Sequence, residues 1–284
     1  MGTKKAFKAF VYLVLITFAL SVLIPVFWVI AASVKDNSEF YKSPWALPEG
    51  LNLENFISAW SEAKMGSYFL NSVTVTALSL GILLLTAIPA SYALSRFRFR
   101  GRGLIRTHFM GGLFVNVSYI VVPIFLMLIG INSAVGSPIL LNNRAVLATV
   151  YAATALPFTI YLLTGYFEGL SREYEEAAYV DGCSHFRTMV SIMVPLARPA
   201  IITVILFNFL SFWNEYIIAL TLMTDDRGKT LPVGLMNLMK AQNAAAQYGR
   251  MYAGLVIVMI PTLVLYVLLQ KKLTEGMNAG GIKG

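Results

Sequence analysis

Six windows of about 20 mostly apolar residues recur along this chain, and they constrain its fold more than any other feature, because only such windows cross a bilayer as helices. They lie near residues 10–32, 69–95, 107–130, 145–167, 199–223 and 252–270. In hydrocarbon the backbone has no water to bond, so its N–H and C=O groups must pair with one another, and a helix does this within one segment. Charge usage agrees: 13% of the 284 residues are charged and 57% are hydrophobic, against about 25% charged in an ordinary soluble domain. A soluble fold of this composition would leave a large apolar area in water. The expected class is an all-α integral membrane protein, a single transmembrane domain over 1–284 with the lipid bilayer as its solvent. The first window is longer than the roughly 7–15 residues of a signal-peptide core, so it is read as an uncleaved span.

Pro25, Pro89, Pro123, Pro157 and Pro261 fall inside these windows. Each removes a backbone donor, a loss that neighbouring helices in a membrane can make good. A net charge of +8 would suggest a nucleic-acid partner for a soluble protein; in a membrane protein the placement of the charges sets topology instead, and no nucleic acid is expected. With the N-terminus in the cytoplasm, Lys4, Lys5, Lys8, Arg96, Arg98, Arg100, Arg102, Arg106, Arg172, Arg187, Arg198, Lys271, Lys272 and Lys283 fall inside, 14 of the 22 basic residues. The tight basic turn "RFRFRGRGLIR" contributes most to this bias. Both termini and the 168–198 loop are then cytoplasmic.

That loop is a polar island, "EYEEAAYVDGCSHFRTMVSIMVPLARP", with Glu168 just before it. Ser171 is placed to cap a helix of about ten residues, Glu173 suits the positive helix end, and Gly182 can end the helix in a left-handed turn. Spacings of three and four put Tyr174, Ala177, Ala178 and Asp181 on one face, where two alanines leave a shallow surface able to enter a groove on another protein. A second helix is expected to start near Ser184 and run toward Pro195 and Pro199. From these residues alone, a solvated interfacial helix is an equal reading.

The segment resembles the EAA loop of ABC-importer permeases. Glu176-Ala177-Ala178, Gly182, Ile192 and Val194-Pro195 reproduce that motif's spacing over the loop 171–195, with valine where the motif has leucine. "WNEY" at Trp213 to Tyr216, "TLPVGL" at Thr230 to Leu235 and the tail "GMNAGGIKG" at Gly276 to Gly284 are similar to MalG-like permeases of carbohydrate importers. The resemblance implies a type I importer permease, six spans with a cytoplasmic coupling helix, in a bacterial or archaeal cytoplasmic membrane. It implies a second homologous permease, two ATPase subunits that bind ATP and Mg²⁺, and an extracellular sugar-binding protein met by 33–68 and 224–250. Carried over, Glu173, Glu176, Ala177, Ala178, Asp181, Gly182 and Pro195 are the coupling residues, with Glu176 as charged anchor, the alanines giving close approach and Gly182 the turn. The cargo is read as a carbohydrate, with a polyol or sugar phosphate as the alternative.

No catalytic or metal site is expected. The chain has no GxxxxGK[ST] loop: Gly228-Lys229-Thr230 has Met223 where the first glycine is required. It has no HExxH or GxSxG pattern. His108 and His185 stand in no metal-ligand spacing, a single cysteine, Cys183, excludes an internal disulfide, and the "NVS" at Asn116 lies in a window. Glu215 is the acid placed within the fifth span, where a charge costs at least about 2.5–3.5 kcal/mol at the membrane centre and so should face protein or water. At 100° per residue, Asn208, Ser211 and Glu215 share an arc of about 60° with Asn214 beside them, and Phe209, Trp213, Tyr216 and Leu220 occupy the other side. These polar residues are candidates for lining a sugar pathway; alternatively, Asn214 and Glu215 clamp the partner permease. A relay role for Glu215 in an ion-coupled carrier is the remaining alternative.

Overall fold

The computed structural model describes the backbone of residues 2–245 and 247–281, with side chains described over 4–241 and 247–268. It is helical: α1 (Gly2–Ser33), α2 (Asn37–Lys42), α3 (Glu54–Ser61), α4 (Met65–Arg96), α5 (Arg102–Gly112), α6 (Val117–Val135), α7 (Arg144–Gly169), α8 (Glu173–Val180), α9 (His185–Thr188), a π-helical turn (Met189–Met193), α10 (Val194–Leu196), α11 (Arg198–Trp213), α12 (Ile217–Leu222), α13 (Leu231–Ala245) and α14 (Tyr248–Gly281). Among the described residues, five helices are long and apolar enough to cross a membrane: Lys4–Ser33, Met65–Arg96, Val117–Val135, Arg144–Gly169 and Tyr248–Leu268. A sixth crossing is formed if His185–Leu196 and Arg198–Trp213, which meet at 76°, are counted as one broken span. The Gly276–Gly284 tail and Lys271, Lys272 and Lys283 lie outside the residues whose side chains are described.

Two compact units divide the chain. The first joins the residues up to Gly66 to Gly234–Ile260. The apolar side chains of α1 are exposed from Phe7 to Ile24, as expected where lipid or another membrane chain is the solvent. Beyond α1 the chain turns at Asp36, which accepts the Ser38 N–H while Glu39 reaches back to the Asp36 N–H, a capping box. The Ser38 backbone bond, then the Ser38 hydroxyl, holds the Asp36 carboxyl below its ordinary pKa. Lys35 is buried yet satisfied, its Nζ donating to the carbonyls of Ser43 and Pro44 at 3.2 and 3.1 Å. Gly249 packs against this turn; a Cβ there would lie 2.6 Å from the Lys35 carbonyl and 2.5 Å from Asn55 Nδ2. Trp28, Phe40, Trp45 and Tyr252 form an aromatic cluster, with Phe40 and Tyr252 stacked at 5.6 Å.

The second unit holds the apolar core, centred on α7, whose Leu147, Tyr151, Leu163 and Phe167 are buried against Leu83 and Ala87 of α4 and Val204 of α11. Two expected spans have different boundaries from the sequence reading. The window at 107–130 is broken at 113–116. Gly111 and Gly112 are poor helix formers, Gly112 lets the Pro157 ring approach (a Cβ would lie 2.7 Å from its Cγ), and Asn116 caps α6 by accepting the Ser118 N–H. The crossing therefore runs over α6, and α5 is a separate helix fastened to α7 by Arg102 and Arg106 on Glu168, at 3.3 and 2.8 Å. The window at 199–223 also breaks: α11 ends at Trp213 and α12 begins at Ile217.

Candidate coupling site

The helix α8 starts one residue later than the expected cap. Arg172 holds the cap position and Ser171 Oγ accepts the Glu173 N–H at 3.3 Å. It ends as the sequence suggests. Gly182 takes φ +77°, the left-handed region open to glycine, while its N–H donates to Tyr179 O and the Cys183 N–H donates to Ala178 O. These are the two bonds of a Schellman ending, which satisfy carbonyls the helix leaves free.

The two consecutive glutamates of α8 point in different directions. Adjacent residues lie 100° apart around a helix, and here the edge of the packed face falls between them: the structure buries Glu175, 6% exposed, while leaving Glu176 exposed. Ala178, three residues on, turns in with Glu175 and is 3% exposed. The expectation that both alanines form the shallow outer surface is therefore corrected: Ala177 is exposed, and Ala178 packs inward because it lies on the face that Glu175 anchors. Glu173, Tyr174, Asp181 and Val180, the last 88% exposed, complete the open side, with Phe186 of α9 also exposed.

Sequence reasoning missed what holds that inner face. Glu175 Oε2 lies 3.0 Å from Arg96 Nε, both side chains buried, and Glu175 Oε1 accepts the Tyr92 hydroxyl at 2.6 Å. Arg96 Nη2 also donates to the carbonyl of Leu170, the C-terminal cap of α7, at 2.9 Å. The available signal was that Glu175 and Ala178, three residues apart, lie on one face of the helix. Around this pair, His185 Nδ1 meets the Tyr179 hydroxyl at 2.7 Å and the ring of Phe97 edge-on at 5.3 Å.

The helix after the turn is capped by Ser184, whose Oγ accepts the Arg187 N–H at 3.4 Å. Pro195 lacks the N–H that would continue an α-helical ladder, and the backbone widens into the π turn Met189–Met193 just before it. Pro199 then opens α11 within its first turn. Pro195 thus marks the bend between the two arms of the broken crossing.

The polar residues of the fifth window are not brought together. Asn208 is buried and bonded inside the chain, donating to Thr159 Oγ1 at 3.1 Å and to Val204 O at 2.8 Å. Ser211 and Asn214 are exposed, Asn214 donating to Leu210 O on its own helix. The shared arc fails at Glu215 because the helix has already ended. Glu215 instead sits in the break and caps α12: it accepts from the N–H groups of Ile218 and Ala219 at 2.7 and 3.0 Å and from the Tyr151 hydroxyl at 2.7 Å. The aromatic side is also inside, with Trp213 buried, stacked on Phe209 and edge-on to Phe69.

The loop after α12 is likewise fixed. Asn71 Nδ2 donates to the carbonyls of Arg227 and Lys229, both at 2.9 Å, Arg144 donates to Asn71 Oδ1, and the Leu231 N–H donates to Ser72 Oγ. Gly228 ends the 3-10 turn Asp226–Gly228, and Lys229 just after it pairs its Nζ with Asp226 at 2.6 Å, which does not fit a phosphate cradle.

Residues 87–277 match the family described as binding-protein-dependent transport system inner membrane component. The chain is similar to the diacetylchitobiose uptake system permease protein NgcG of Streptomyces coelicolor, 34% identical over 98% of this chain and 90% of that one. It is similar to the trehalose/maltose transport system permease protein MalG of Thermococcus litoralis, 30% identical over 95% and 94% of the two chains. Its fold matches a crystal structure of a bacterial ABC transporter involved in the import of the acidic polysaccharide alginate, with a TM-score of 0.80, 25% identity and coverage of 95% and 97%. The EAA spacing, the broken helical crossing after it and these matches give one conclusion: the chain belongs to the membrane-embedded permease family of binding-protein-dependent ABC transporters, and is a non-catalytic subunit.

Proposed function

We propose that this chain forms half of the translocation pathway of an ATP-driven carbohydrate importer. The observation that carries the reading is the surface of α8: a short helix at the motif's spacing, with Glu176, Ala177 and Val180 open and no partner for Glu176 among the described contacts. Such a surface suits a cleft on a separate ATPase subunit, with Glu176 as charged anchor. Glu173 and Asp181 flank it, Gly182 turns the chain, and Pro195 relays the turn into the bent crossing. Two ATPase subunits would hold ATP and Mg²⁺, because this chain offers no phosphate-binding loop. A second, homologous permease would complete the pathway, and an extracellular binding protein would deliver the sugar. The basic bias supports an orientation with both termini and α8 on the cytoplasmic side of a bacterial or archaeal cytoplasmic membrane.

The names of the relatives support a carbohydrate: diacetylchitobiose for one, trehalose and maltose for another, alginate for the solved transporter. Of the candidate pathway residues, Ser211 and Asn214 remain open to a sugar or to the partner permease, while Asn208 and Glu215 are occupied within the chain. With three donors on its carboxylate, Glu215 has lost the motive for a proton relay, and it also ceases to argue against an anionic sugar such as a sugar phosphate.

The chain does no covalent chemistry. Its contribution is to stabilise inward- and outward-open arrangements differently as the ATPase pair opens and closes. The test is reconstitution with its partners in vesicles. Glu176→Lys is expected to leave the protein inserted while abolishing binding-protein-stimulated ATP hydrolysis; normal stimulation in that variant would overturn the reading.

A further inference from the structure

Resting on the importer reading, we infer that Glu175 is a positioning residue that fastens the docking helix to the end of the second span, so that α4 moves with α8. The covalent chain joins α8 only to α7, through Leu170 to Arg172, and to α9, through Asp181 to Ser184. Nothing covalent nearby links it to α4, whose last turn is 79 positions from Glu175 at Arg96 and 83 at Tyr92. The link is made by side chains. One carboxylate takes the Tyr92 hydroxyl on one oxygen and faces Arg96 Nε with the other, and the same guanidinium holds the last carbonyl of α7. Arg96 thus ties three helix ends at one point.

The character of the link suits transmission of a displacement. A buried charge pair is costly to open, because either charge left alone has no water to replace its partner. One hydrogen bond and one ion contact on the same rigid carboxylate hold it at both oxygens. The surroundings are packed rather than loose: the Tyr92 ring meets Phe97 and Phe167 edge-on at 5.7 and 5.8 Å, and Ala178 allows the inner face of α8 to sit close. Interfaces of this kind hold one of a few discrete arrangements and pass movement on as a body. Glu176 would then meet the ATPase, and Glu175, one residue earlier, would carry the resulting motion to a membrane span.

The test uses the whole transporter in vesicles, with Cys183→Ser and an environment-sensitive fluorophore on Arg98→Cys, an exposed position just past the end of α4. The probe is ATP with orthovanadate, and the reading is the fluorescence change it produces together with the rate of ATP hydrolysis. Coupling free energies are typically worth about 5- to 150-fold, so Glu175→Gln is expected to keep the ATPase bound and hydrolysing while the fluorescence change falls about tenfold. Tyr92→Phe, which removes one hydrogen bond, is expected to give a smaller fall. A full fluorescence change in Glu175→Gln, or loss of the bound ATPase from it, would overturn the inference. If Glu175→Gln does not reach the membrane, Tyr92→Phe decides in the same way, a reduced change supporting the strut and a full one refuting it. No response and no hydrolysis in the unsubstituted transporter would instead refute the importer reading itself.

Discussion

Glu175 and Glu215 each take a tyrosine hydroxyl, and they serve different ends. Glu175 meets Tyr92 at 2.6 Å and Glu215 meets Tyr151 at 2.7 Å. The remaining partners separate them. Glu175 faces a guanidinium on a helix distant in sequence, so it joins two elements by charge. Glu215 faces the backbone N–H groups of the next short helix, so it repairs a break within one crossing. An acid in an apolar chain is therefore explained by its donors: charged donors mark a strut between bodies, and backbone donors mark a helix that stops and restarts.

Substitutions at the two places should separate these roles, and the largest loss is expected where a charge is stranded. Arg96→Ala leaves the buried Glu175 carboxylate with the Tyr92 hydroxyl alone, and should destabilise the purified protein by about 3–5 kcal/mol in a denaturation series. Glu215→Leu removes the acceptor for the Tyr151 hydroxyl and for two N–H groups. A loss of about 1–3 kcal/mol per stranded group is expected where the group is shut off from water, less where water reaches it. Glu215→Gln should lose less, since one acceptor oxygen remains; equal losses for the two variants would sink the capping role.

Smaller effects are expected on the open side of α8. A Cβ at Gly182 meets no neighbouring atom within 4 Å, so the cost of Gly182→Ala is the left-handed backbone, roughly 1–2 kcal/mol. Gly182→Asn should recover part of it, because asparagine tolerates that conformation. Glu176→Lys should change stability by no more than about 0.5 kcal/mol while removing the response to ATP. A large fall in melting temperature for Glu176→Lys would show that it, like Glu175, is held inside the chain.

Hydropathy made four of the six windows plain, those of α1, α4, α7 and α14, because it acts over a whole window and does not depend on which neighbour a residue meets. The α8 turn was equally plain, since Gly182 acts through its own backbone. What sequence left open depended on partners. The inward turn of Glu175 and Ala178 follows from Tyr92 and Arg96, which no local pattern pairs with them. The break at 113–116 depends on Gly112 accepting the ring of Pro157, a contact 45 positions away in sequence. The arc of Asn208, Ser211 and Glu215 assumed a helix that continues past Trp213; the backbone ends it there, and Glu215 becomes a cap rather than a lining residue.

The central claim is that α8 is the place where a separate ATPase acts on this chain, and its most direct measurement is ATP hydrolysis and uptake in vesicles holding the complete transporter. Hydrolysis that rises with the loaded binding protein, and that Glu176→Lys abolishes without loss of inserted protein, is the expected result. Uptake of the same sugar by vesicles holding this chain alone, without ATP, would contradict it.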